Sequence, residues 1–324
     1  MRAIVATNQG AALKNLPKPK PGPAQILVQV KTAALNRADL MMLHGASHGG
    51  WGGGADAPLG LEFAGEVVEL GEGVNKIRIG DRIMSAGSGA FAEYIVVYEP
   101  QVFSVPHNMS YEQAASLPVG TQTMHDAIAT AGQFTSGQTV LFQGGASAVG
   151  MIGMQAAKFL GAGKVVGTSR SSERCAGLLE FGADVAINTK DKDWIKQVLK
   201  ETDDKGVDLL IDFLAGPYMN QNLEVMKVGG RIINIGRLAG EQGEFNFDLH
   251  SMRRISYIGC SFRMRTPFES LEVIMKAQAA LEPALANGAI KLPIDKIYQL
   301  EEASQAFERM SKNLNFGKII LSIA

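Results

Sequence analysis

Cysteine is almost missing from this 324-residue chain: only Cys175 and Cys260 occur. Neither stands at metal-ligand spacing and two thiols make no disulfide framework, which argues against a stapled secreted scaffold or a cysteine zinc knuckle. Both read as small buried apolar residues in a reducing compartment, and a cytoplasmic protein is expected. A surplus of one charge is missing too. A net charge of -1 argues against a nucleic-acid or membrane surface as the main partner, so neither is expected. No apolar run reaches membrane-span length. The opening Met1-Arg2-Ala3-Ile4-Val5 lacks a long apolar core and reads as a strand, not a leader.

Glycine is plentiful, with 37 residues, and 46% of the chain is hydrophobic, enough for a sizeable core. The length suggests two domains. The most telling stretch is TVLFQGGASAVGMIGMQAAKFL, Thr139 to Leu160. Thr139–Phe142 is a short apolar run suited to a buried strand, and Gly144 and Gly145 break it. From Val149 the apolar residues take helical spacing. Strand, glycine turn and helix start gather backbone N–H groups and the positive end of a helix dipole, which suits a phosphate. Val165–Thr168 reads as the next strand, where a dinucleotide fold places its ribose-reading residue.

Residues 1–118 contain short strands with glycine turns: Ile26–Val30, Phe63–Leu70, the run after Gly80-Asp81, and Phe91–Val97. They suggest a compact β-rich domain. The segment HGGWGGGADAP between Gly45 and Gly60 reads as a loop of high ordering cost. Tyr111–Phe134 turns helical. Strands and helices then alternate, with strands Thr139–Phe142, Val165–Thr168, Val185–Ile187, Val207–Asp212, Arg231–Ile235 and Ile258–Ser261. The helices are Val149–Leu160, Glu173–Phe181, Trp194–Glu201 and Asn220–Met226. Continuous apolar strands fit a parallel sheet covered on both faces, a doubly wound dinucleotide fold. The tail, with helices Glu269–Ala286 and Glu301–Met310 and strands Ile294–Tyr298 and Lys318–Ile323, is expected to rejoin the first domain.

Several motifs together resemble one family. They are Asn36-Arg37-Ala38-Asp39-Leu40, Pro58-Leu59-Gly60-Leu61-Glu62-Phe63-Ala64-Gly65, Gly80-Asp81-Arg82-Ile83, Ala90-Phe91-Ala92-Glu93-Tyr94, the glycine turn, and Asn315-Phe316-Gly317-Lys318-Ile319-Ile320-Leu321. The chain resembles the medium-chain dehydrogenases/reductases, in their zinc-free NADPH:quinone oxidoreductase branch. The resemblance implies an α/β protein: a GroES-like β-rich catalytic domain from residues 1–118 and 263–324, and a Rossmann doubly wound parallel sheet domain, 119–262, binding NADPH. It also implies an active site in the inter-domain cleft, and a homodimer formed through a sheet edge. Zinc relatives carry a cysteine near position 36 and a histidine before the glutamate. Here Asn36 and Leu61 stand there, and leucine cannot ligate, so no metal is expected. A site without a Lewis acid suits acceptors that delocalise the added electrons themselves, namely quinones and α,β-unsaturated carbonyls. An enoyl-thioester reductase and a non-catalytic NADPH-binding protein are the two other readings.

The resemblance also assigns residues. The turn supplies Gly144, Gly145, Ser147, Ala148, Val149 and Gly150, with Ser147 where a middle glycine is usual. The second strand ends without a carboxylate and with two arginines. A guanidinium forks onto a phosphate, which favours NADPH and marks Ser169, Arg170, Ser171 and Arg174. Thr189 falls where relatives use a tyrosine. Phe213, Gly236 and Leu238 follow later strands, and Phe262, Arg263, Asn315, Gly317 and Lys318 are expected near the nicotinamide half. Asp212 could equally cap the next turn. Asn36 and Thr123, with the loop residues His44 and Trp51, are the expected substrate contacts. Relatives often place a tyrosine in that loop, and this chain has none there.

Overall fold

The computed structural model describes residues 1–45 and 57–323. The chain divides into two compact units, Met1–Gln122 with Phe262–Ala286 and Lys291–Ala324, and Thr123–Ser261 with Asn287–Ile290.

The first 104 residues are mostly strands: β1 (Arg2–Thr7), β2 (Gly10–Asn15) and β3 (Gln25–Ala34), helix α1 (Arg37–Leu43), then β4 (Glu62–Leu70), β5 (Arg82–Ala86), β6 (Tyr94–Tyr98) and β7 (Val102–Ser104). Helices α2 (Tyr111–Ala115) and α3 (Pro118–His125) follow, and a π-helical turn spans Asp126–Ala131. The apolar pattern suggested one continuous helical stretch here. Pro118 breaks it, because proline has no N–H to donate and disfavours helix at the residue before it.

Strands and helices then alternate: β8 (Thr139–Gln143), α4 (Ala148–Phe159), β9 (Lys164–Ser169), α5 (Ser172–Glu180), β10 (Val185–Asn188), α6 (Trp194–Glu201) and β11 (Val207–Asp212). Next come α7 (Met219–Glu224), β12 (Met226–Asn234), α8 (Phe247–Arg253) and β13 (Ser256–Gly259). The expected helix over Asn220–Met226 stops short, because Met226 is already paired with Val207 in the sheet. The chain ends with α9 (Pro267–Ala286), β14 (Ile294–Gln299), α10 (Ala303–Ser311) and β15 (Lys318–Ser322).

The first unit holds a seven-stranded sheet in the order β14-β15-β3-β4-β5-β7, with β6 also pairing β3. Its pairs are antiparallel except β14 with β15. The two chain ends meet there, and Phe63, Phe91, Ile83 and Leu321 fill its core. The second unit holds a six-stranded parallel sheet in the order β10-β9-β8-β11-β12-β13. The order turns back between β8 and β11, the kind of switch point where such sheets bind ligands beyond their carboxyl ends. Leu141, Val166, Leu210 and Ile232 form its buried centre.

Candidate functional site

In the second unit the carboxyl ends of β8, β9, β11 and β12 carry the loops that matter. Gly144 opens the turn after β8 with φ +81°, a conformation that side chains avoid. Helix α4 starts so close to the turn that a Cβ at Gly150 would stand 2.4 Å from the Gly145 carbonyl oxygen. Ser147 is the N-cap of α4, and its hydroxyl accepts the Gly150 N–H at 3.1 Å. Its oxygen is therefore engaged within the helix start. The N–H groups of Ala148 and Val149, in the first turn of α4, have no intrahelical acceptor by the geometry of a helix start.

The second strand's end gathers four of the expected residues. The Ser171 N–H donates to Ser169 Oγ at 3.3 Å, and the Thr189 N–H donates to the Ser169 carbonyl at 2.8 Å. Ser171 caps α5 by accepting the Arg174 N–H at 3.3 Å. Arg170 is exposed and Arg174 half-buried. The carboxylate nearest in sequence, Glu173, lies in the first turn of α5, where the helix dipole favours an acid.

The loops after β11 and β12 are tied together. Asp212 Oδ1 accepts the N–H groups of Leu214 and Ala215 at 2.9 and 3.0 Å, so it does cap its turn. Burial pushes the Asp212 carboxyl up in pKa, against the pull of those two N–H groups. The Gly236 N–H donates to the Asp212 carbonyl at 3.2 Å, and the Leu238 N–H to the Phe213 carbonyl at 3.1 Å. Phe213, Gly236 and Leu238 thus form one local group. Thr123 lies half-buried in α3, in this same unit.

In the first unit the structure joins Asn36 to Lys318 across 282 residues of sequence. Strands β15 and β3 pair with Ile320 opposite Ala34, so the register carries Lys318 to a place opposite Asn36. Strand β4 pairs Phe63 with Ala33, which brings Glu62 to the same end. Lys318 Nζ donates to Asn36 Oδ1 at 2.7 Å and forms an ion pair with Glu62. Asn36 Nδ2 donates to Glu62 Oε1 at 2.9 Å, and the other Glu62 oxygen accepts the Val119 N–H at 2.9 Å. Lys318 is 2% exposed, Asn36 7%, and Glu62 fully buried. Asp39 completes the group, accepting the Asn36 N–H at 2.6 Å. Burial pushes its pKa up to about 8, against the pull of the Asn36 N–H and of the Lys318 charge, with Glu62 adding to the rise.

The expected residues around this group lie as follows. Asn315 Nδ2 donates to the Gly317 carbonyl at 3.0 Å, fixing the turn that leads into Lys318. Arg263 Nη2 reaches Met41 Sδ at 3.3 Å, and Arg265 stacks over the Phe262 ring at 5.0 Å. His44 is exposed at the end of α1. Trp51 lies outside the described residues. Glu62 and Asp39 carried no assigned role in the sequence reading. Their signal was an acid inside the apolar stretch LGLEFAG, and an acid three places after a helix cap. A cavity of about 400 Å³ also lies in this unit, between the first turns of α9 (Phe268, Leu271, Ile274) and the β6 edge (Val96, Tyr98). No charged side chain lines it among the described residues.

Could this chain hold zinc? Among the described residues no three histidine, cysteine, aspartate or glutamate side chains are placed to hold a metal. Leu61 offers no donor atom, and both ends of the Asn36 amide are taken by Lys318 and Glu62. Among the described residues this donor set does not fit a zinc ion.

A β-rich unit built from both chain ends and a doubly wound parallel unit define a class of two-part nucleotide-dependent folds. An alcohol dehydrogenase GroES-like domain model matches residues 22–107, and a zinc-binding dehydrogenase model matches residues 148–276. The chain belongs to the medium-chain dehydrogenase/reductase superfamily of oxidoreductases, in its quinone oxidoreductase branch. It is 29% identical to a synaptic vesicle membrane protein VAT-1 homolog of Danio rerio, covering 99% of this chain and 70% of that one. It is 28% identical to a quinone oxidoreductase of Sus scrofa, covering 94% of this chain and 90% of that one. A solved quinone oxidoreductase of Pseudomonas syringae superposes with a TM-score of 0.84 at 26% identity, over 99% of each chain. No helix among the described residues is long and apolar enough to cross a membrane.

Proposed function

We propose that this protein is an NADPH-dependent reductase of quinones or α,β-unsaturated carbonyls that works without zinc. The observation that carries the reading is the state of Asn36. It stands where zinc relatives have a metal ligand, and its amide is committed to Lys318 and Glu62. With no Lewis acid to hold an alkoxide, the acceptor must stabilise the incoming electrons by its own conjugation. A bound nicotinamide supplies the hydride, and the chain's part is to orient it and to exclude water.

The preference for NADPH rests on the end of β9. Arg170 and Arg174 stand beside Ser169, Ser171 and Thr189, and a planar guanidinium matches a 2′-phosphate. Gly144, Gly145, Ala148, Val149 and Gly150 take the pyrophosphate in this reading. Phe213, Gly236 and Leu238 would line the cofactor. Asn36, Thr123, His44, Trp51, Phe262, Arg263 and Asn315 are assigned to the nicotinamide and the acceptor. Lys318 acts from beneath, through Asn36. Strand β13, one of the two edges of the parallel sheet, is the proposed seam of a homodimer.

The test is steady-state NADPH oxidation with 1,2- and 1,4-quinones, an alkenal and crotonyl-CoA. Turnover of quinones or the alkenal is expected. Turnover of crotonyl-CoA alone would replace the reading with an enoyl-thioester reductase. Tight NADPH binding with no turnover of any acceptor would make the chain a non-catalytic binder.

A further inference from the structure

Below the loops of the second unit runs a row of four polar side chains. Thr168, Gln143, Asp212 and Asn234 stand on the adjacent strands β9, β8, β11 and β12. Phe142 pairs with Gly167, so Gln143 comes beside Thr168, and Gln143 pairs with Asp212 and Asp212 with Asn234. Thr168, Gln143 and Asp212 are fully buried and Asn234 is 5% exposed. Four polar side chains buried side by side in a sheet are costly unless hydrogen bonds satisfy them. Where their bonds go shows what they serve.

Three of the four send bonds upward into the loops. Thr168 Oγ1 accepts the Gly144 N–H at 2.9 Å and donates its own proton to Gln143 Oε1 at 2.6 Å. Asp212 Oδ1 takes the Leu214 and Ala215 N–H groups. Asn234 Nδ2 donates to the Gly236 carbonyl at 2.9 Å. The turns after β8, β11 and β12 are each held by one member of the row. Valine or isoleucine at these positions would serve the sheet's core better, but could not reach those backbone groups.

We propose that this row is a positioning frame for the dinucleotide, with Thr168 as the strut that fixes the glycine turn. The proposal rests on the NADPH reading above. It differs from the arginine assignment in one respect. The glycine turn meets the part that NADPH and NADH share, so loss of the strut weakens both equally. The frame acts through backbone position, and none of its four members is a catalytic residue.

Thr168→Val removes the hydroxyl at nearly constant shape, and Thr168→Ser keeps it. NADPH and NADH are titrated into wild type and both variants by nicotinamide fluorescence. Hydrogen exchange at the Gly144 amide is followed in cofactor-free protein. Thr168→Val is expected to weaken both dinucleotides by about tenfold and to speed exchange at Gly144, while Thr168→Ser restores both. Asn234→Leu, which cuts the bond to Gly236 and the side-chain contact to Asp212, is the second variant should the first fail to fold, and the same equal weakening is expected. Wild-type affinity for both dinucleotides in the folded variants overturns the frame, as does weakened binding by Thr168→Val with Gly144 exchange unchanged. If wild type binds neither dinucleotide, the NADPH reading falls, and Gly144 exchange still reports separately on the strut.

Discussion

Each unit contains a buried polar group, and the two spend their hydrogen bonds in opposite ways. In the first unit Asn36, Glu62 and Lys318 bond chiefly to one another, around one ammonium and one carboxylate. In the second, Thr168, Asp212 and Asn234 send theirs to the backbone of the loops above. A closed group carrying full charges fixes the ends of β3, β4 and β15 against each other. A row that reaches outward shapes the surface a ligand meets. The first should therefore answer to mutation chiefly through stability, the second chiefly through affinity.

The largest effect is expected from Lys318→Met, which strands the Glu62 carboxylate in a dry site. Breaking a buried pair from one side costs about 3–5 kcal/mol. The double variant Glu62→Gln with Lys318→Met, neutral again, should regain most of that in urea unfolding. If the single and double variants were equally unstable, the closed-group description would be wrong.

An effect of comparable size concerns Asp39. Its folded pKa of about 8 lies above the ordinary 3.8, so between those values the folded chain holds a proton that the unfolded chain has lost. Stability is then greatest below the lower value and falls as pH rises toward the upper one, by up to about 1.4 kcal/mol per pH unit. Asp39→Asn should flatten that fall in unfolding measured from pH 5 to pH 8. An unchanged slope would place the proton elsewhere.

Smaller are the changes confined to the second unit's ligand surface. Arg170→Ala or Arg174→Ala should weaken NADPH by about tenfold or more and leave NADH nearly untouched, since charged hydrogen bonds contribute roughly 1.5–3 kcal/mol. Equal losses for both cofactors would refute the 2′-phosphate assignment. With Thr168→Val lowering both alike, the pair separates residues that read the phosphate from those that hold the turn.

Much of this architecture was legible in the chain. The apolar run from Thr139 followed by Gly144 announced a strand and turn, because glycine at positive φ is the cheap way to reverse there. Asp212 offered its capping role at the end of VDLLID. Proximity across the sheet was not legible. Lys318 meets Asn36 only through the register of β15 on β3, and nothing local to either segment encodes that pairing. The row was hidden for a related reason. Its members close separate strands, and only the sheet order brings Gln143 beside Asp212. One local sign existed: a polar residue at or near the carboxyl end of several apolar strands, as in TVLFQ and VVGTS.

The most direct test of the central claim is NADPH consumption with 1,2-naphthoquinone before and after exhaustive treatment with a strong zinc chelator. The account predicts that kcat/KM is unchanged by chelation and is at least about tenfold higher with NADPH than with NADH, the factor expected of a charged contact to the 2′-phosphate. Activity that disappears on chelation and returns with added zinc would contradict it.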